Sequence, residues 1–485
     1  MEKEKSLLQN YIFNLIKTLN GILFPIITFA YSSRILGVDG VGKVNFAKSV
    51  ITYFSMLAML GMNYYGTREA AKLRNDRDRL SQFCLEMLFI NGFTTIIAYI
   101  LLTISLLSIP LLRDYRNLLL ICSSAIALQG MGMEWLYQAM EEYRYIAIRS
   151  FLFQIISLIA MVFLVRNESD VVPYAVLTVM ASSGSYILNF INARKYVRFH
   201  QGMHLVILKH VKPLLWLFAM AVSIELYTVL DTTMLGFLKG DTAVGLYTAA
   251  TKVERMVNTV ITSLGVVLIP RLSFYMGENA HKKTDDLICK GYNYTFLLSI
   301  PAAAGLFMLS DEIILLFSGA QFASAGLTMR IMTPVVILIP FSMMTNQQTF
   351  VPMGKEKLIL LSTSAGAVTN LILNCLLIPR FAENGAAWAS VIAEMVVAAV
   401  CLINAKRYFD MKEVLKSIWQ YLLAGITIPI VIILIQMIKV PNVIHILLAV
   451  PISAVLYILI LRLLGNQYVN EAFNKVCKNG GMGEG

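Results

Sequence analysis

Charge is what this sequence has least of. Only 14% of its 485 residues are charged and 58% are hydrophobic, where a soluble domain is about a quarter charged and about half apolar. Mean hydropathy is +0.69. That balance excludes an ordinary soluble chain. Alternating apolar and polar strand segments are also missing, which excludes a transmembrane β-barrel. The start, MEKEKSLLQN, is not followed by a short apolar core with a small-residue cleavage site, so no removable signal peptide is expected. Six cysteines (Cys84, Cys122, Cys289, Cys375, Cys401, Cys477) are scattered with no CxxC pair. They predict neither a disulfide framework nor a metal site. No GxxxxGK[ST] loop for ATP occurs, and five scattered histidines offer no Ser–His–Asp set. Asp76-Arg77-Asp78 matches a glycosyltransferase DxD, but its short basic loop leaves no room for a nucleotide-binding domain. No cofactor is expected, and the enzymatic signals are poor.

What is there is a series of apolar runs of bilayer-spanning length, about 20 residues each, which favours a helix bundle. Fourteen spans are expected, at about 10–33, 44–66, 83–108, 117–138, 146–165, 171–193, 213–236, 246–270, 291–310, 329–351, 357–378, 385–405, 417–438 and 442–464. The net charge of +11 reflects basic loops more than a nucleic-acid surface. Most of the 40 lysines and arginines fall in the N-terminus, the even-to-odd loops and the tail, Arg144 and Arg149 among them. The positive-inside rule then places both termini in the cytoplasm. The tail, ending NGGMGEG, reads as disordered.

The chain also repeats itself. Ile35-Leu36-Gly37 with Val41-Gly42 is echoed by Met234-Leu235-Gly236 with Val244-Gly245, Gly61 through Arg68 by Gly265 through Arg271, and INARKY at Ile191 by INAKRY at Ile403. Met140 through Arg144 is echoed by Met353 through Lys357. The offsets are about 200 to 213 residues throughout. Six spans separate the copies, and an even number preserves orientation, so the halves are parallel repeats. The expected plan is an all-α polytopic membrane protein with two parallel six-helix lobes around a central cavity plus two C-terminal helices. The N-terminal lobe is 1–198, a basic cytoplasmic linker 199–212, the C-terminal lobe 213–408, two additional helices 409–464 and a cytoplasmic tail 465–485. The linker histidines His200, His204 and His210 have no acid or cysteine nearby in sequence and read as solvated.

Within the spans, cations are the anomaly. Each costs roughly 2.5–3.5 kcal/mol at a helix centre on insertion scales. In span 8, Thr248, Thr251/Lys252, Arg255, Asn258/Thr259 and Thr262 form one polar stripe at helical spacing. Lys252 and Arg255 can snorkel to the interface, but the stripe continues past them, which favours a wet cavity or an anion. Span 2 aligns with span 8 at an offset of about 203 and carries its own stripe of Asn45, Lys48, Thr52, Ser55 and Asn63. Lys17, with Asn14 and Asn20, adds a cation in span 1, and Arg34 caps its outer end. Facing each other, these groups would make a cationic cavity that favours a large anion such as a pyrophosphate. Substrate-binding candidates are therefore Lys17, Arg34, Lys48, Lys252, Arg255 and Asn258. Glu225 and Asp231 in span 7 can bind H⁺ or Na⁺ as coupling-ion candidates, or serve as fixed counter-ions. Glu134, Glu394 and Arg330 are lesser candidates of the same kind, and Glu86 reads as interfacial. Pro25, Pro334 and Pro340 can bend their helices.

Three stretches carry a resemblance to a known family. They are SRILGVDGVGKVNFAKSVITYFSMLAMLGMNYYGTREAAK (Ser33 to Lys72), LIPRLSFYMGE (Leu268 to Glu278) and ENGAAWASVIAEM (Glu383 to Met395). Each is similar to the corresponding part of Wzx-type polysaccharide flippases, in the multidrug/oligosaccharidyl-lipid/polysaccharide exporter superfamily. The resemblance implies movement of an undecaprenyl-pyrophosphate-linked oligosaccharide (an O-antigen, capsule or exopolysaccharide repeat unit) from the cytoplasmic to the outer leaflet of the bacterial inner membrane. Alternating access driven by an H⁺ or Na⁺ gradient is implied too, as is a cationic lumen. Expected partners are that substrate, membrane lipid, and a polysaccharide polymerase and chain-length regulator, around a monomer that binds no nucleic acid. Competing readings are a lipid II flippase, whose cavity is also cationic, and a cation/drug antiporter, which would want an acidic one.

Overall fold

The computed structural model describes residues 7–198, 205–266, 268–278, 280–438, 441–471 and 473. The side chains of residues 7–20 are outside the described residues, so Lys17, Asn14 and Asn20 are placed only as positions on helical backbone. His200, His204 and the tail beyond residue 473 also lie outside them. Among the described residues there is no strand. Helix is what an apolar chain adopts in lipid, because it pairs every backbone N–H and C=O within the segment. Packing divides the chain into two units, Met1–Gly245 and Leu246–Gly485.

In the first unit, α1 (Leu7–Met59) joins expected spans 1 and 2 across a break at Gly37, with φ 67° and ψ −174°. At 1.5 Å per residue the unbroken helix would run to about 80 Å, against a bilayer core of about 30 Å. Only glycine adopts such a backbone without strain. A second reversal at Leu60 and Gly61 ends the helix short of the expected residue 66 and begins α2 (Met62–Lys72). Next come α3 (Arg77–Ser108), α4 (Pro110–Asp114), α5 (Arg116–Gly132), α6 (Glu134–Ala139), α7 (Tyr143–Leu164), α8 (Val171–Val179), α9 (Tyr186–Asn192) and α10 (Leu208–Lys239). Asp76 of the DxD-like triplet is a helix cap, its carboxylate accepting from the Arg79 amide at 3.1 Å.

Three polar residues sit differently from the sequence expectation, because each finds a partner the sequence does not display. Arg149, read as a loop cation, is buried on α7 and donates to Glu134 at 3.2 Å and to the Ser185 carbonyl at 3.1 Å. Glu86, read as interfacial, is wholly buried on α3. His210, read as part of a solvated linker, is buried against it, with Nε2 2.7 Å from Glu86 and Nδ1 2.7 Å from the Tyr65 hydroxyl. The Val206 amide and Lys209 ammonium also donate to Glu86, at 2.9 and 3.4 Å. The start of α10 is thus tied to α2 and α3 by one saturated carboxylate.

At the first unit's end, α11 (Asp241–Val266) begins after a break at Gly240, with φ 83° and ψ −168°, nearly the geometry of Gly37. A hydrogen bond from the Thr242 hydroxyl to Asp39, at 2.6 Å, joins two positions that are themselves 203 residues apart. Around it the contacts are reciprocal. A Cβ on Gly42 would lie 1.9 Å from the Asp241 carbonyl oxygen, and one on Gly245 2.2 Å from that of Val38. The repeat read from sequence therefore corresponds here to a local two-fold.

The second unit continues through α12 (Ile269–Gly277), α13 (His281–Met308), α14 (Ser310–Ser318), α15 (Ala325–Met332), α16 (Val335–Met343), a π turn at Met344–Phe350, α17 (Glu356–Ala405), α18 (Met411–Leu415), α19 (Ile418–Gly425), α20 (Thr427–Gln436) and α21 (Asn442–Leu463). The two helices expected beyond the repeat belong to its core. Tyr421, Ile428, Ile432 and Tyr457 join Tyr292, Phe296 and Phe341 in one buried cluster. The Tyr421 hydroxyl donates to Asn293 at 3.1 Å, as a buried tyrosine must find an acceptor.

Eight described helices are long and apolar enough to cross a membrane, or up to ten if each bent pair is one span, where fourteen were expected. Part of the difference is continuity. α17 runs through a break at Ala382 (φ 47°) and joins expected spans 11 and 12 as α1 joins spans 1 and 2. Helix 13 with 14 bends by 80°, and 15 with the segment from Val335 to Phe350 by 42°, next to Pro334 and Pro340. Outward faces of the long helices are apolar, as in Phe93, Ile96 and Leu107 on α3 or Leu447 and Val455 on α21, which is what lipid contact requires.

Candidate functional site

The span 2 stripe is real as a face. Asn45, Lys48, Thr52 and Ser55 fall on one side of α1 because they recur at three- and four-residue intervals. Thr52 and Asn45 satisfy their side chains on the helix itself, at the Lys48 carbonyl (2.9 Å) and the Val41 carbonyl (2.8 Å). Lys48 is exposed while Phe46 and Ala47 beside it are fully buried. Towards Gly61 the same face opens on a cavity of about 360 Å³. Its walls are Thr52, Ser55 and three methionines of α1 and α2, Asn63 and Tyr64, Gln129 of α5, and Ala221 and Glu225 of α10. Tyr64 is 64% exposed. Glu225, a coupling-ion candidate, is thus a wall residue of a polar cavity. Asp231, the other, is buried on α10 and acts electrostatically on Tyr53. Arg34 is exposed and donates to the Ala30 carbonyl one turn back, at 2.5 Å, which suits the end of a helix.

In the second unit α11 splits the expected stripe between two faces. Thr248, Thr251, Glu254 and Asn258 are buried. Arg255 is exposed beside Met256 and Val260, and Lys252 is half-buried. The Asn258 amide donates to Glu254, leaving its own Oδ1 buried without a hydrogen-bonding partner. Glu394 of α17 is also buried and close enough to act on Glu254 electrostatically, as is Arg255. Sequence reading singled out Glu394 weakly and Glu254 not at all. The missed signal was periodic: Glu254 shares the Thr251–Asn258 face, not the Arg255 one. Glu134 is neutralised by Arg149, and Arg330 by Asp311 at 2.7 Å, so both belong to structural ion pairs. A separate, apolar groove of about 270 Å³ lies among Val257 of α11, Pro301 and Gly305 of α13, Ile428 of α20 and Val450 of α21. No group of three or more metal-ligating side chains occurs among the described residues.

Two sequence families match, a polysaccharide biosynthesis protein family over residues 7–276 and the MatE family over residues 217–376. The chain belongs to the polysaccharide biosynthesis protein family. Among its relatives, a protein of Escherichia coli strain K12 carrying an O-antigen transporter name is 25% identical over 411 residues, covering 82% of this chain and 96% of that protein. One of Shigella dysenteriae with the same name is 24% identical over 358 residues, covering 72% and 87%. Among solved structures, a lipid II flippase in an inward closed conformation superposes with a TM-score of 0.72 at 18% identity, over 93% of this chain and 98% of that one. The fold is therefore that of a polytopic helical transporter, and the family's relatives are transporters and flippases, not enzymes.

Proposed function

We propose that the protein flips an undecaprenyl-pyrophosphate-linked oligosaccharide, an O-antigen, capsule or exopolysaccharide repeat unit, from the cytoplasmic to the outer leaflet of a bacterial inner membrane. The observation that carries this reading is the length of the likeness, 82% of this chain against 96% of an E. coli protein named for O-antigen transport. Exposed Lys48 and Arg255 on two repeat-related helices support it, since an exposed cation within a span serves an anion or water better than lipid. In this reading Lys17, Arg34, Lys48, Lys252 and Arg255 attract the pyrophosphate, and Asn258 holds the buried face of α11 in place. Both termini are cytoplasmic, the working form is a monomer, and a polymerase and chain-length regulator act on the delivered units.

Alternating access is driven by an H⁺ or Na⁺ gradient. The candidates for its carboxylates are Glu225, Asp231 and the Glu254–Glu394 pair. The pair is the best placed of these, because two buried acids that act on each other electrostatically favour holding a cation between them. A drug antiporter has the MatE match in its favour, but the exposed cations oppose a cationic cargo.

The test is charge reversal. Arg255→Glu and Lys252→Glu should each abolish surface polysaccharide in cells while the protein remains in the membrane at normal abundance. Normal polysaccharide with both variants would remove the cationic site from the reading.

A further inference from the structure

We infer that the cavity of the first unit is a saccharide subsite, specific for a neutral sugar close to the lipid pyrophosphate. The inference deepens the flippase reading and rests on it. The cavity's lining is the argument. Ser55, Asn63 and Gln129 contribute a hydroxyl and carboxamides, each able both to donate and to accept, and Thr52, whose proton goes to the Lys48 carbonyl, contributes an acceptor. That is the chemistry a polyol or acetamido sugar needs and a phosphate does not. Tyr64, 64% exposed at the rim, offers an aromatic face for the apolar side of a ring. Among the described residues of the wall, Glu225 is the charged one. Its carboxylate accepts sugar hydroxyls strongly but repels a uronic acid or a phosphate.

Position and size agree. On a 1.5 Å rise, the lining from Thr52 to Met59 lies roughly 6 to 16 Å along the helix from Lys48, where sugars would hang if the pyrophosphate sat at the lysine. A volume of about 360 Å³ is near the lower end of small-molecule sites and admits roughly one or two sugar rings, so the subsite reads the sugars next to the lipid and not the whole repeat unit. Glu225, engaged by sugar hydroxyls, then leaves coupling to Asp231 and the Glu254–Glu394 pair.

The experiment measures binding to the full-length protein in nanodiscs with four probes. They are undecaprenyl pyrophosphate, its N-acetylglucosamine conjugate, its glucuronic acid conjugate and tetraphenylphosphonium. Wild type should bind the N-acetylglucosamine conjugate about ten-fold tighter than the bare lipid pyrophosphate, and the glucuronic acid conjugate no tighter than the bare one. Gln129→Ala and Tyr64→Ala should each lose most of that preference while keeping wild-type affinity for the bare lipid, which also reports that they are folded. Glu225→Gln should bring the two conjugates together. Equal wild-type binding of bare lipid and N-acetylglucosamine conjugate overturns the subsite, as does a preference undiminished in Gln129→Ala and Tyr64→Ala. Tetraphenylphosphonium binding that Glu225→Gln abolishes overturns it in favour of a drug site. If wild type binds none of the three lipid pyrophosphates, the flippase reading itself falls.

Discussion

Span 2 and span 8 are the same helix used twice. Both follow a glycine break of nearly the same geometry, at Gly37 and Gly240, and meet each other's preceding turn at Gly42 and Gly245. Beyond that they diverge. On span 2 the polar face leads from an exposed Lys48 into a cavity at Gly61. On span 8 the polar face is buried, carrying Glu254 and Asn258, and the cation has moved to the next face at Arg255. At Gly265, the counterpart of Gly61, the carboxamide of Gln348 lies where a Cβ would go, 1.8 Å from it. A repeat thus preserves backbone geometry more strictly than side-chain assignment. The glycine contacts tolerate no side chain, whereas a polar face one residue over still makes a helix. The divergence gives the first unit an open polar cavity and the second a buried acid, Glu254, within electrostatic reach of Glu394.

The largest effect expected is at the shared element. Gly42→Val and Gly245→Val each drive a side chain into a carbonyl within about 2 Å and should cost about 3 kcal/mol or more. Recovery of monodisperse protein and its Tm would show this, with Gly21→Val, which meets nothing within 4 Å among the described residues, unchanged. Unequal losses at the two glycines would break the pseudo-two-fold description. Next is the buried pair of the first unit. Glu134→Ala leaves Arg149 charged with 2% of its side chain exposed and should lower stability by about 3 kcal/mol in a detergent denaturation series. His210→Ala removes two hydrogen bonds and should cost about 1–2 kcal/mol by the same measurement. The smallest effect is in the second unit. Asp311→Asn breaks an ion pair whose side chains are 36% and 57% exposed, and should change stability by under about 1 kcal/mol. An Asp311 effect matching that of Glu134 would show that burial does not separate the two pairs.

Composition and hydropathy sufficed for the helical membrane class, and the approximate repeat for the equivalence of Gly42 and Gly245, since both are local or periodic properties; the repeat set Gly37 against Gly236, whereas the matching backbone break is at Gly240. The helix breaks at Gly61 and Ala382 were less legible, because glycine is permissive and alanine gives no warning of a positive φ. Among the candidate residues, the sequence singled out Lys48, Arg255 and Glu225 by the cost of charge in lipid. It could not tell that Glu134 meets Arg149, that Glu86 meets His210 across 124 positions, or that Glu254 is the buried acid of span 8. Charge in an apolar run is a one-dimensional signal that needs only the solvent to interpret. Whether a given charge is neutralised, sealed with another acid or left facing a cavity depends on which distant helix packs against it, and only the tertiary structure decides that.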